Sequence, residues 1–291
     1  MTVPSAAPMR RGLVLLAIAA SAWGSGGAVA EILYRTSGLG PIAVCWWRLV
    51  VGAAVLTVTR RKLPCVADWR AALPIGIGLA IAQAAYFAAI TDVGVAVATM
   101  VTLGAGPLLV AIGARFALSE RLSPVGVVAV LVALGGLVLL TRGAAGPRPA
   151  VGVGLALLAA TGQAATTILS RRTSGRGADT TAACWIGAAV LTPLALVAGI
   201  LPRHGVPVQT VGWLLYLGIV PTALAYRLFF AGLATVPATV ASVITLLEPV
   251  AAAAIAVGLL GERLSGPVVV GAMVLLSAVT MISVTSGHPR K

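Results

Sequence analysis

Apolar stretches of about 20 residues follow one another along almost the whole chain, and they restrict the fold more than any other feature. An α-helix rises about 1.5 Å per residue, so each stretch can cross the roughly 30 Å hydrocarbon core of a bilayer. Short connections separate the stretches, with no inserted soluble domain. The sequence predicts an all-α integral membrane protein with ten transmembrane helices, at residues 12–33, 39–59, 71–91, 95–117, 123–141, 150–170, 180–200, 210–231, 236–260 and 266–286.

Composition supports the same class. Charged residues make up 9% of the chain and hydrophobic residues 59%. A soluble domain carries about 25% charged residues, so most of this surface must face lipid. The three cysteines are scattered and both histidines lie outside the apolar stretches. No spacing of a zinc site or a disulfide framework results, and we predict neither metal nor cofactor.

The net charge of +13 is interpreted as a topology signal rather than as a nucleic-acid site, because no basic stripe is interleaved with aromatic residues. With a cytoplasmic N-terminus, 13 of the 20 basic residues fall on the cytoplasmic side and 5 outside. The positive-inside rule then predicts cytoplasmic tails at 1–11 and 287–291, in a cytoplasmic membrane of bacterial type. The alternative, a signal peptide cleaved after Ala28-Val29-Ala30, would leave nine spans.

An internal repeat divides the chain into halves at 12–141 and 150–286. An offset of 142 places Pro107 on Pro249 and Glu120–Ser123 on Glu262–Ser265. Cys45-Trp46 recurs as Cys184-Trp185, and Gly52–Thr57 recurs identically as Gly187–Thr192. Because five spans are an odd number, the second half must enter the membrane from the opposite side. Two inverted five-helix repeats are typical of secondary transporters, which bind their cargo near the midplane. We interpret Glu120 and Glu262 as residues that fix a tight turn at the membrane edge, with a gating role as the alternative.

Polar residues within the spans are functional candidates, because a charge near the bilayer centre costs about 2.5–3.5 kcal/mol. Glu248 precedes Pro249 in the ninth span, and Pro107 occupies the matching position in the fourth. Proline interrupts helical hydrogen bonding, and interruptions at matching positions in two halves point to a binding site. Glu248 could bind a proton or a cationic group, or bond only to the freed backbone. Arg48 is a candidate counter-ion or a side chain that extends to the interface.

Other polar and aromatic residues are predicted to line a cavity between the halves, although aromatic residues in spans also pack or anchor. Gln83 and Tyr86 are one helical turn apart and share a face. Asp92 and Glu31 lie near span ends, where solvation at the interface is expected. The full set of predicted cavity residues is Trp23, Gln83, Tyr86, Gln163, Trp185, Tyr226 and Glu248.

These residues make the chain resemble the EamA-type branch of the drug/metabolite transporter superfamily. The matching marks are Trp23-Gly24-Ser25, Pro41 with Arg48, Tyr86 with Ala89, Pro107, Glu120–Ser123, Ala225-Tyr226, Glu248–Val250, Gly261–Leu264 and Gly271. The resemblance implies ten helices with both ends cytoplasmic and transport of metabolites such as amino acids, or of drug-like compounds.

The resulting hypothesis is a secondary transporter that works by alternating access, in the direction of export. Its partners would be the lipid bilayer, a small-molecule substrate and, as candidate coupling ions, protons. A membrane-embedded enzyme acting on lipid-linked groups is an alternative, but the seven acidic residues are dispersed and no histidine lies in a span. A membrane subunit without transport activity is another. The sequence leaves monomer and homodimer open.

Overall fold

The computed structural model describes residues 6–60, 66–117, 124–144, 146–172, 180–204, 207–233, 235–236, 244–245 and 247–286. In these ranges the chain forms helices and loops without any β-strand. The helices are α1 (Ala6–Ser37), α2 (Pro41–Arg60), α3 (Val66–Ala117), α4 (Pro124–Gly143), α5 (Pro149–Arg172), α6 (Thr180–Ala198), α7 (Pro207–Gly218), α8 (Ala225–Leu233), α9 (Leu247–Leu260) and α10 (Gly266–Ser286).

Among the residues that the structure describes, six helical segments are long and apolar enough to cross a membrane: Met9–Ser37, Pro41–Thr59, Ala72–Gly106, Pro149–Thr166, Thr180–Ala198 and Val208–Phe229. Leu247–Leu260 and Gly266–Ala278 are shorter apolar helices. Each predicted span coincides with helix over most of its length; in the ninth, residues 237–243 and 246 lie outside the described ranges.

The bend within α3 falls between two of the predicted spans. α3 contains 52 residues, and Gly94 has φ 80° and ψ 169°, outside the helical region. A residue with a Cβ is strained at this φ, so glycine is suited to the break. The bend divides α3 into a first arm (66–93) and a second arm (95–117). Pro107 lies inside the second arm, where the backbone remains helical. The interruption in the first half therefore lies at Gly94, not at the predicted Pro107.

A π-helical turn, Ile219–Leu224, joins α7 to α8 into one continuous segment. Pro221 lies within it and has no N–H to donate. The Thr222 hydroxyl donates to the Leu217 carbonyl, five residues back, at 2.9 Å. The sequence predicted this span at 210–231 but not its π-helical turn.

Helices α2 and α6 pair in antiparallel orientation through two reciprocal hydrogen bonds. Trp46 near the start of α2 donates its indole N–H to Thr192 near the end of α6, at 3.0 Å. Trp185 near the start of α6 donates to Thr57 near the end of α2, at 3.1 Å. The four residues belong to the elements that repeat in the sequence.

Small residues bring the other helices together, as is common where lipid removes the hydrophobic drive for association. A Cβ added to Gly162 of α5 would lie 2.9 Å from the Ala82 Cβ of α3, and one added to Gly136 of α4 would lie 2.9 Å from the Gly271 carbonyl of α10. Helix α1 packs against α8, α9 and the π-helical turn. Phe87 of α3 is fully buried in the core that these helices share.

Candidate functional site

Arg48 joins three segments at the centre of the bundle. Its side chain is 8% exposed. Nε donates to the Thr222 hydroxyl at 3.0 Å and Nη1 to the Gln83 side-chain oxygen at 2.9 Å. The guanidinium carbon lies 5.5 Å from the centroid of the Phe87 ring. α2, the first arm of α3 and the π-helical turn are thus held by one charged group.

The π-helical turn supplies a third acceptor. The N–H of Ala225 donates to the carbonyls of Val220 and Thr222. The carbonyl oxygen of Pro221 lies 3.5 Å from Arg48 Nη2. All three acceptors of Arg48 are neutral, so they satisfy its N–H groups without cancelling its charge. Proline in the middle of an apolar span was the one sequence signal for this turn.

Glu248 is partly buried in the first turn of α9. Its N–H donates to the Thr245 carbonyl at 3.0 Å. Pro249 follows it within this first turn, where a missing N–H costs no helical hydrogen bond. Pro249 thus lies at the beginning of α9, whereas the sequence predicted a break in mid-span; residues 237–243 and 246 lie outside the described residues.

The Glu248 carboxylate has neither a hydrogen bond nor an ion pair with any residue in the described ranges. It lies close enough to Arg48 for electrostatic attraction, without direct pairing. α1 packs directly on its backbone: a Cβ added to Gly24 would lie 2.6 Å from the Glu248 carbonyl oxygen. A carboxylate, a guanidinium and the contact between α1 and α9 therefore lie in the same region of the bundle.

Tyr86 extends this region along α3. Its hydroxyl lies 2.8 Å from the Thr99 hydroxyl, which donates to the Val95 carbonyl at 2.7 Å. Because Thr99 uses its hydrogen in that bond, Tyr86 is the donor to Thr99. A Cβ on Gly27 would lie 2.6 Å from the Tyr86 oxygen. Gln83 and Tyr86 share a helix face, as predicted, and both are within electrostatic or hydrogen-bonding range of Arg48.

Aromatic side chains border the same region from α1 and α8. The rings of Trp23 and Tyr226 lie 5.4 Å apart at an interplanar angle of 67°. Phe229, which the sequence did not single out, lies 5.2 Å from Trp23. Tyr226 lies in the neighbourhood of both Arg48 and Glu248. We call Trp23, Arg48, Gln83, Tyr86, Tyr226 and Glu248 the central cluster.

Two of the predicted cavity residues lie outside the central cluster. Trp185 donates its indole N–H to Thr57 in the α2–α6 pair. Gln163 lies on α5 with an exposed side chain. Their predicted contact with cargo stays a prediction.

Two acidic residues near span ends are ion-paired. Asp92 is 2% exposed and accepts a hydrogen bond from Arg148 at 2.9 Å. The prediction that water solvates Asp92 is therefore wrong, because the 146–148 loop covers it. Glu31 pairs with Arg35, four residues later in α1, at 2.7 Å. Of the positions in the predicted turn element, Glu120 lies outside the described residues and Glu262 is described below.

Comparison with known proteins identifies relatives over the whole chain. A model of the EamA-like transporter family matches residues 10–142 and again residues 150–284. The uncharacterized transporter YwfM of Bacillus subtilis (strain 168) is 31% identical over 287 residues, covering 94% of this chain and 93% of that protein. An uncharacterized transporter of Clostridium kluyveri is 27% identical over 172 residues, covering 56% of this chain and 55% of that protein. A solved crystal structure of a protein has the same fold, with a TM-score of 0.63 at 20% identity over 94% of this chain and 96% of that one.

Proposed function

Because the chain belongs to the EamA-like transporter family, we propose that it carries small metabolites across the cytoplasmic membrane as a secondary transporter. It is a multi-pass membrane protein and a transporter rather than an enzyme. The proposed cargo is amino-acid-like or drug-like, the proposed mechanism is alternating access, and the proposed direction is export.

The proposed architecture is a pair of five-helix repeats in opposite orientations. The family model matches twice, at nearly the boundaries of the two sequence halves. Counting α3 as two crossings and α7 with α8 as one gives ten. The antiparallel α2–α6 pair supports inversion, because in both bonds the repeated Cys-Trp element of one half contacts the threonine that ends the other repeated element in the opposite half.

Orientation can be tested by labelling. Single cysteines placed at residue 2 and at residue 290 should both react with a membrane-impermeant reagent only after the cytoplasmic face is exposed. This result follows from ten crossings and from the excess of basic residues on that face. Labelling of the two positions from opposite sides would contradict both the number of crossings and the inversion.

The central cluster is the proposed cargo site, and one observation carries this assignment. An acidic side chain and a guanidinium lie near each other at the junction of the two halves, yet they form no ion pair. Ionisable groups inside a membrane bundle are costly and are generally tied to transport. Glu248 offers a negative charge, Arg48 a positive one, and Trp23 and Tyr226 offer apolar ring faces. A small molecule with a charged amino or carboxyl group and an apolar part matches these surfaces.

The transport hypothesis is tested in two steps. Metabolites retained and released by cells with and without the protein are compared, and compounds that change are then assayed for flux into proteoliposomes. Saturable flux that requires the protein is expected for at least one compound. Absence of flux for every such compound would favour a membrane subunit without transport activity.

Glu248→Gln tests whether the carboxylate carries a proton or the cationic group of the cargo. The substitution keeps the shape and removes the charge. Flux driven by a pH gradient is expected to fall at least tenfold, corresponding to about 1.4 kcal/mol. Glu31→Gln is the matched control, because its surface pair with Arg35 contributes only about 0–1 kcal/mol. Unchanged flux in Glu248→Gln would exclude proton coupling through this residue.

A further inference from the structure

Because of the bend at Gly94, the second arm of α3 begins with its own helix N-terminus. The first N–H groups of a helix have no acceptor within it. Here the carboxylate of Glu262 supplies acceptors from a distant part of the chain. Val95 N donates to Oε1 at 2.7 Å, and Ala96 N donates to Oε2 at 3.1 Å. Both carboxylate oxygens are therefore used on one helix start, where a negative charge is also favoured by the helix dipole.

Glu262 is fixed to the end of α9. Its own N–H donates to the Ala256 carbonyl at 3.0 Å, and Gly261 before it has φ 69°. The carboxylate packs directly on Gly94, where an added Cβ would lie 2.9 Å from Oε1. The sequence interpretation, in which Glu262 fixes its own tight turn, is therefore incomplete: the side chain reaches a different helix.

Two further contacts lie at the same end of the bundle. Arg148 pairs with Asp92, two residues before the bend. The Ser265 hydroxyl donates to the Gly143 carbonyl at 2.9 Å. The bend in α3, residues Gly143 and Arg148, and the 261–265 loop are thus linked at one end of the bundle. Among these three contacts, the one made by Glu262 is the only one in which a charged side chain accepts from backbone N–H groups. Water could take its place at those N–H groups.

We infer that Glu262 is a latch that holds this end of the transporter closed and is released when the end opens. Opening separates the 261–265 loop from Gly94, and water replaces the carboxylate at Val95 and Ala96. Because α9 carries Glu248 at its start and Glu262 just beyond its end, movement of α9 at the cargo site also acts on the latch. This inference rests on the proposed transport cycle, since a latch has meaning only for a protein that opens.

The two buried cysteines provide reporters for opposite ends. Cys45 is 0% exposed and lies in the second turn of α2, three residues before Arg48. Tyr34 connects this region to Phe87, about two turns before Gly94, through a 3.1 Å hydrogen bond. Cys184 is 1% exposed and lies at the start of α6. Because α2 and α6 are antiparallel, Cys184 faces the opposite end.

The test compares the rate of cysteine labelling by a small charged thiol reagent in proteins with Glu262 and with Glu262→Gln, both reconstituted in nanodiscs. One reporter protein keeps only Cys45 and the other only Cys184, with Cys65 replaced by serine in both. Loss of a charge-assisted hydrogen bond shifts a population by about tenfold, so Cys45 labelling should rise about tenfold in Glu262→Gln. Cys184 labelling should stay the same or fall, and Glu31→Gln should change neither.

Other results would overturn the latch. Equal increases at both cysteines would mean that Glu262 supports the fold in general, and unchanged labelling of Cys45 would mean that it holds nothing closed. The labelling requires no cargo, so it separates the two proposals. Opening without any flux would retain the latch and count against transport, whereas flux without a labelling change would do the reverse.

Discussion

Gly24→Ala is expected to lower transport at least tenfold, because it drives α1 away from α9 at the proposed cargo site. The added Cβ would lie 2.6 Å from the Glu248 carbonyl oxygen, 2.9 Å from the Ala251 Cβ and 3.0 Å from the Ala252 nitrogen. Two of these atoms belong to the backbone, which cannot rotate aside as a side chain can. Overpacking of this kind costs about 1–3 kcal/mol, and here the displaced group is the segment that carries Glu248.

The matched control lies two residues along the same helix. A Cβ at Gly26 would meet only Pro221 side-chain atoms, at 3.6 and 3.7 Å, which is ordinary van der Waals contact. Gly26→Ala is therefore expected to keep near-normal flux. Both variants would be compared as initial flux per reconstituted protein, with size-exclusion profiles to confirm folding. Equal flux in the two variants would contradict the close α1–α9 contact.

Arg48→Met is expected to destabilise the bundle by about 3 kcal/mol or more, because two buried acceptors and a partly buried one lose their donor, at about 1–3 kcal/mol for each buried group. Thr222, Gln83 and the Pro221 carbonyl would lose the group that joins their segments. A lower melting temperature in detergent and loss of flux should follow. Arg48→Lys retains the charge but cannot reproduce the planar fork of donors, so it should recover only part of the stability.

Arg227→Met is the control for removal of a positive charge. Arg227 lies on α8 with an exposed side chain, directly after Tyr226. Surface substitutions usually change stability by less than about 0.5 kcal/mol, so its melting temperature should match that of the unmodified protein. If Arg48→Met melted at the same temperature as Arg227→Met, Arg48 would have no organising role.

Hydropathy alone predicted the helices well, because nearly every apolar stretch of sufficient length became helical. The connection predicted between residues 91 and 95 became the bend at Gly94. The position of Pro249 in the first turn of α9 was not predicted, because a proline is compatible with either a kink or a first turn, and apolar composition does not distinguish them. The π-helical turn was not predicted either, because a proline in an apolar span indicates an interruption of the helix but not which kind of turn forms there.

The candidate site was predictable in its residue types and less so in its partners. The cost of burying charge singled out Arg48 and Glu248, and helical spacing placed Gln83 beside Tyr86. Spacing along one helix cannot show which distant group a side chain meets. The contact of Glu262 with Val95, 167 positions away, is an example. For the same reason, the sequence did not predict that Trp185 pairs α6 with α2.

The two tryptophan–threonine bonds between α2 and α6 have an evolutionary consequence. Each bond joins the tryptophan of one repeated element in one half to the threonine of the other repeated element in the opposite half. A single ancestral helix carrying both residues could make both bonds by lying antiparallel against an identical molecule. Gene fusion would then have preserved a contact that two separate chains already possessed. After fusion, each tryptophan could change only in step with its threonine partner in the other half, which would favour the persistence of these two short elements in both halves.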